Sequence, residues 1–296
     1  MKDFRNRVAA ITGAGSGMGR CLAVQLAQAG CHVALSDCNE AGLAQTLADV
    51  QRVAPGVRAT VARVDVADRA AVHAWADTVA RDHGRVNLIF NNAGVALSST
   101  VEGMSYDDLE WIIGINFWGV VYGTKAFLPY LKASGDGHVV NTSSIFGIFA
   151  QPGMGAYNAS KYAVRGFTES LRQELDLMDC GVSATTVHPG GIKTNIAQAS
   201  RVSASVNGFL VRDAQHGKDE FEKFFITSPD KAARVILEGV RRNRRRVLIG
   251  PDAYAADAMA RLLPAAYQAL VVRETRRKRD LGNVVAPASV GQGERP

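Results

Sequence analysis

The chain has 296 residues, 47% of them hydrophobic, with a net charge of +6 and four cysteines. That length and composition suit a globular α/β protein with a sizeable core, and no apolar run approaches the roughly 18 residues that cross a bilayer. The charge argues against nucleic acid or a membrane surface as partner: residues 241–296 carry 12 Lys and Arg against 5 Asp and Glu, while residues 1–240 carry 22 against 23, so the excess sits in runs near the end that read as solvated faces.

The first residues, Met1-Lys2-Asp3-Phe4-Arg5-Asn6, lack signal-peptide architecture. Cys21, Cys31, Cys38 and Cys180 have no CxxC spacing, so reduced thiols and a cytoplasmic location are expected. Six scattered histidines form no HExxH pair, and no metal site is expected.

In chain order, Val8-Ala9-Ala10-Ile11-Thr12 reads as a buried strand that runs into glycines, followed by a helix with Leu22, Leu26 and Ala29 on one side. A second strand, His32 to Ser36, closes at Asp37. The cycle repeats with a helix through Leu43, Leu47 and Val50, a strand Val57 to Val64 ending at Asp65, a helix through Val72, Trp75 and Val79, and a strand Val86 to Phe90. A long helix from about Tyr106 to Leu131 follows, then a strand His138 to Thr142, a helix with Tyr157 and Lys161, and a strand Val182 to Val187. This alternation predicts βαβ units, a parallel sheet and one domain over 1–250. It fails between about 194 and 227, where Phe209, Leu210, Phe221, Phe224 and Phe225 suggest a lid over a site. A helix Pro229 to Val240 and a strand Val247 to Ile249 complete the sheet. Residues 251–275 form an apolar helical extension, and 276–296 a basic tail expected to be disordered.

The run Gly13-Ala14-Gly15-Ser16-Gly17-Met18-Gly19 lies between a strand and a helix, with Asp37 18 residues after Gly19. Strand, glycine turn, helix and then an acid is the layout of a dinucleotide site: the backbone approaches the pyrophosphate at the helix N-terminus, and Asp37 holds the adenosine ribose. A carboxylate there repels a 2′-phosphate, which favours NAD over NADP, though NADP is not excluded. The strict GxGxxG pattern fails at Met18. Tyr157 and Lys161, four apart on a helix, are neighbours on one face. A phenol beside an ammonium is a proton-transfer device.

With Asn91-Asn92-Ala93-Gly94, Asn116, Ser143-Ser144, and Pro189-Gly190-Gly191-Ile192-Lys193-Thr194, and with Tyr157 13 positions after Ser144, the chain resembles the compact single-domain branch of the short-chain dehydrogenase/reductase superfamily from about Arg7 to Gly250. The resemblance implies a Rossmann-type, doubly wound parallel sheet of about seven strands. It makes Tyr157 the general acid or base and Lys161 its modulator, bonded to the nicotinamide ribose. Ser144 would hold the substrate oxygen, with Ser143 a structural hydroxyl, and Asn116 would hold a water that links Lys161 to solvent. For the cofactor it implies contacts from Gly13, Ser16, Gly17, Met18 and Gly19 in the turn, and from Asp65 and Val66 around the adenine. Asn92 and Gly94 would follow, and Pro189, Gly190 and Thr194 would position the nicotinamide. For Asn92 a role in bracing the sheet carries equal weight, and Asn116 could instead kink its helix.

A free tyrosine titrates near 10, so half-ionisation at neutral pH needs a shift of roughly 3 units, about 4 kcal/mol. One cation at about 4 Å supplies on the order of 4 kcal/mol at an effective dielectric near 20, so Lys161 is expected almost to suffice. Ile145, Phe146, Phe149, Met154 and the lid aromatics suggest an apolar or bulky secondary alcohol or ketone, although the same residues would also serve as plain core. The alternatives are an NADPH-dependent ketoreductase of acyl-carrier-linked substrates, against which Asp37 argues, and a non-catalytic NAD-binding regulator, against which the intact tetrad argues. The resemblance also implies a homotetramer or homodimer built on the helices that carry Asn116 and Tyr157.

Overall fold

The computed structural model describes residues 3–208 and 210–281. Its first half runs β1 (Val8–Thr12), α1 (Gly17–Gln28), β2 (His32–Asp37), α2 (Glu40–Val53), β3 (Ala59–Arg63), α3 (Arg69–His83) and β4 (Leu88–Asn91). Then come a short β5 (Leu97–Ser98), α4 (Tyr106–Ile113), α5 (Gly119–Ala133), β6 (Gly137–Thr142), α6 (Gly155–Met178) and β7 (Val182–Pro189). The remainder is β8 (Arg201–Val202), α7 (Ala214–Lys223), α8 (Pro229–Arg241), β9 (Arg246–Ile249), α9 (Pro251–Leu262) and α10 (Tyr267–Leu281).

Seven strands form one parallel sheet in the order β3-β2-β1-β4-β6-β7-β9. Every residue of β1, β4 and β6 is buried, as a strand covered on both faces requires. Ala9 and Ile11 pack on one face with Leu22, Leu26, Leu43 and Ile236 of α1, α2 and α8. Val8 and Ala10 face Trp75, Phe127, Leu131 and Leu171 of α3, α5 and α6. Side-chain caps start several of these helices: Asn39, Asp68 and Ser228 each accept from the backbone N–H three residues on, which satisfies a donor the first turn leaves unpaired.

The chain winds outward from β1 to β3, then returns to lay β4 on the other side of β1. Strand order reverses there, and the crevice beyond the C-terminal ends of β1 and β4 is where such sheets take ligands. Thr12 and Asn91 end those two strands, so the glycine turn and Asn92–Gly94 meet at the switch point.

Three expectations change. The long helix is interrupted by a π turn over Gly114–Trp118 that contains Asn116; such turns often mark functional positions. Residues 194–227 hold a strand after all, because β8 pairs with β5 in a small separate sheet, and α7 follows. Finally, the extension is two helices separated around Pro264, and α10 continues to Leu281 rather than giving way to a tail at 276. Arg, Lys and Glu are good helix formers, and Glu274 pairs with Arg277 one turn on, at 3.7 Å. The tail expected beyond, 282–296, and Phe209 lie outside the described residues.

Candidate active site

The turn after β1 needs its glycines for space. Gly13 and Gly17 have positive φ, 65° and 52°, which L side chains rarely adopt. A Cβ on Gly13 would stand 2.8 Å from the Ala93 Cα, and one on Gly19 would stand 2.1 Å from the Gly13 carbonyl oxygen. Ser16 precedes α1 in an extended conformation and makes no side-chain cap, so the first-turn N–H groups remain open to an anion. Beside this turn lies a cavity of about 580 Å³ whose walls include Gly13, Ser16, Gly17, Met18 and Asp37. Asp65, Val66, Asn92, Gly94 and Thr194 line the same cavity.

Asp37 is fixed by two bonds, accepting from Gly15 N and from Asn39 N at 2.9 Å each. Its carboxylate therefore stands rigidly at the cavity wall. Asp65 accepts from Ala67 N at 2.9 Å and shapes the next loop. Asn92 donates to the Thr12 and Gly13 carbonyls at 3.0 and 3.2 Å, which braces the sheet, while its buried Oδ1 has no partner. A buried orphan acceptor is costly, and a ribose hydroxyl is a donor of the right kind. The Cβ-free cradle and this orphan oxygen both fit a dinucleotide.

A second cavity of about 430 Å³ adjoins the first through Met18, Asn92, Gly94 and Thr194. Ser144, Tyr157, Lys161, Pro189 and Gly190 line it. Tyr157 and Lys161 sit one turn apart near the start of α6 and are buried. The ammonium lies 5.7 Å from the phenol ring centroid and donates to the Thr142 carbonyl at 3.1 Å. Burial pushes the Tyr157 phenol up to about 12, with a hydrogen bond to Ser144 acting in the opposite direction. Burial likewise pushes the Lys161 ammonium down to about 8. The expectation that Lys161 alone almost frees the phenol's proton is therefore corrected. Desolvation is the largest influence on the phenol and moves it up, against the bias that the neighbouring ammonium supplies.

Around the pair, Ser144 Oγ accepts from Phe146 N at 3.2 Å. The buried His188 ring bonds the Ser144 carbonyl through Nδ1 at 2.9 Å. Ser143 is turned away, donating to the Lys161 carbonyl at 2.7 Å. Asn116 is fully buried and lines neither cavity. Its side chain accepts from Val95 N and donates to Val95 O, both at 2.9 Å, and to Ser160 Oγ at 3.2 Å. Both amide hydrogens are thus committed to holding the loop after β4 against α6, and only one lone pair of Oδ1 is left for a water. Gly19 also lies behind the cavity wall, packed on Gly13.

The sequence reading missed Asp252. This residue of the first turn of α9 accepts from Gly191 N at 2.6 Å, and its other oxygen is buried without a partner. A Cβ on Gly190 would lie 2.0 Å from that carboxylate, so the glycine exists to let Asp252 in. A Pro followed by an acid marks a helix start in sequence, but nothing local reveals that the acid reaches a turn 61 residues away. The apolar wall is as expected for Ile145, Phe146, Phe149, Phe221, Phe224 and Phe225. Met154 and Leu210 instead line a neighbouring chamber.

The chain is similar to known proteins along most of its length. The family model described as short chain dehydrogenase matches residues 7–204. The protein SadH of Mycobacterium tuberculosis is 46% identical over 278 residues, covering 92% of this chain and 96% of that protein. A C alpha-dehydrogenase from a Sphingobium species is 34% identical over 266 residues, covering 85% of this chain and 83% of that protein. Among solved structures, a short chain dehydrogenase/reductase from Burkholderia phymatum in complex with NAD has a TM-score of 0.78 at 30% identity, covering 98% of this chain and 100% of that one. With its parallel sheet, its glycine turn at the switch point and its adjoining cavity, the chain belongs to the short chain dehydrogenase family and is an oxidoreductase with a nicotinamide cofactor.

Proposed function

We propose that the protein moves a hydride between NAD and an apolar secondary alcohol or ketone, with Tyr157 as general acid or base. The observation that carries this reading is one apolar cavity of about 430 Å³ holding Tyr157, Ser144 and Lys161 and opening onto the glycine cradle. In oxidation, Ser144 Oγ holds the substrate oxygen and stabilises charge developing on it, while Tyr157 takes the hydroxyl proton. Lys161 supplies part of the electrostatic bias and a donor for the ribose. A nicotinamide held beside Gly94 and Thr194 would supply the hydride acceptor for the carbinol carbon and, when oxidised, a positive charge that would add to that of Lys161. Asn92 Oδ1 accepts from a ribose hydroxyl, and Asp37 excludes a 2′-phosphate by charge. The intact Tyr157–Lys161–Ser144 geometry favours this over a regulator that only binds NAD. Among the relatives, one bears the name C alpha-dehydrogenase, and a similar structure holds NAD; both support a dehydrogenase that uses NAD.

The test is a panel of secondary alcohols and ketones assayed with NAD and NADP in turn. Apolar substrates should turn over with NAD, and Tyr157→Phe should lower kcat by about 10²-fold or more. Activity confined to small sugars, tighter binding of NADP, or unchanged turnover in Tyr157→Phe would each overturn the part of the reading it addresses.

A further inference from the structure

Next to the catalytic cavity lies a second chamber of about 450 Å³. Phe149 and the run Gln151-Pro152-Gly153-Met154 line one side of it. Val206, Leu210 and Val211 close it from the 194–227 segment, and Leu270 and Val271 of α10 close it from the extension. Phe149, Gln151, Phe221 and Phe224 line both chambers, so the two share a wall. The extension is attached to the Phe149 side by specific contacts: Tyr267 is buried, accepts from Ala150 N at 3.0 Å and meets Phe149 edge to face at 6.1 Å. Acidic and basic groups, Glu274 and Arg279 among them, lie along the wall formed by α10.

A small alcohol would fill neither chamber. Binding cavities of roughly 300–1,000 Å³ take ligands that bury most of their surface, and the two chambers side by side are in that range. We propose that the second chamber is the binding site for a long apolar tail of the substrate, whose reacting carbon stays between Ser144 and Tyr157 while the tail passes Phe149 and Phe221 toward Val271. This rests on the dehydrogenase reading and narrows its substrate class to secondary alcohols and ketones with an extended hydrocarbon arm on one side. The extension is then a specificity element: α10 supplies the far wall of the substrate site.

A homologous series of 2-alkanols, from about four to about sixteen carbons, tests this through both NAD-linked turnover and calorimetric binding. Each methylene that enters the chamber should raise affinity and kcat/KM by about fourfold, until the chamber is full. Val271→Trp, which plugs the chamber from α10, should collapse the ratio between long and short substrates, and Leu210→Trp should do the same from the opposite wall if the first variant folds poorly. Length-independent affinity, or a long-to-short ratio that survives both plugs, would overturn the tail site while leaving dehydrogenase activity on short alcohols intact. Affinity that grows with length and falls with the plugs, without turnover at any length, would leave the tail site standing and defeat the dehydrogenase reading instead.

Discussion

At the scale of residues, the site is a contest between desolvation and charge. Tyr157 and Lys161 are both buried, and burial moves them in opposite directions, to about 12 and about 8. Burial shifts both toward their neutral forms, although Lys161 at about 8 is still mostly charged at neutral pH; for the phenol the shift is the reverse of what proton abstraction wants. The consequence is a direction for pH dependence. On the proposed mechanism, oxidation needs deprotonated Tyr157, whose fraction rises tenfold per pH unit below its apparent pKa, so kcat/KM for the alcohol should climb from pH 6 through pH 9 or so. Ketone reduction needs the protonated phenol, already dominant at neutral pH, and should stay flat over that range and then fall. Paired pH–rate profiles in the two directions check this; an oxidation rate that is flat from pH 6 to 9 would mean Tyr157 is not the titrating base.

Among elements, the sheet is braced beneath the site by a buried polar ladder. Asn91 of β4 donates to Thr124 of α5 at 3.1 Å and to Asn141 of β6 at 2.8 Å, and Asn141 donates to Thr168 of α6 at 2.9 Å. Gly123 leaves room for it, since a Cβ there would stand 2.0 Å from Asn91 Oδ1. Gly123→Ala should therefore cost about 1–3 kcal/mol by overpacking, despite the better helix propensity of alanine; denaturant unfolding of the two proteins measures it, and a gain in stability would show that the ladder yields. The strands and helices that build this frame were legible in sequence because their periodicities are local. So were the glycine turn, Asp37 and the Ser144, Tyr157 and Lys161 trio, whose spacing the fold converts into one cavity. What stayed hidden depended on distant partners. The pairing of β8 with β5 joins segments about a hundred residues apart, each of two residues, too short to show a period. The π turn at Asn116 depends on Val95, and the grip of Asp252 on Gly191 crosses from one end of the last strand to another strand's loop.

For the whole molecule, acid is the exposed flank. His138 and His188 are buried and neutral, each pushed down to about 3 by desolvation from an ordinary value of 6.5. Unfolding lets each take a proton between those values, so the unfolded state binds more protons there and stability falls as pH drops below about 6.5. Between pH 7 and pH 5 the loss should be about 2 kcal/mol per histidine. Urea unfolding at the two pH values should show it, and His138→Gln should remove about half of that slope; an unchanged slope would place the acid sensitivity elsewhere.

The position of Asp252 in the chain has a further consequence. Because it follows β9, which forms an edge of the sheet, a ribosome has completed every strand of the sheet before the carboxylate that secures Gly191 emerges. During synthesis, the turn at Gly190–Gly191 is thus among the last parts of the protein to be clasped. Since Asp252 follows Ile249 by only three residues, the edge strand and the clasp on Gly191 leave the ribosome almost together.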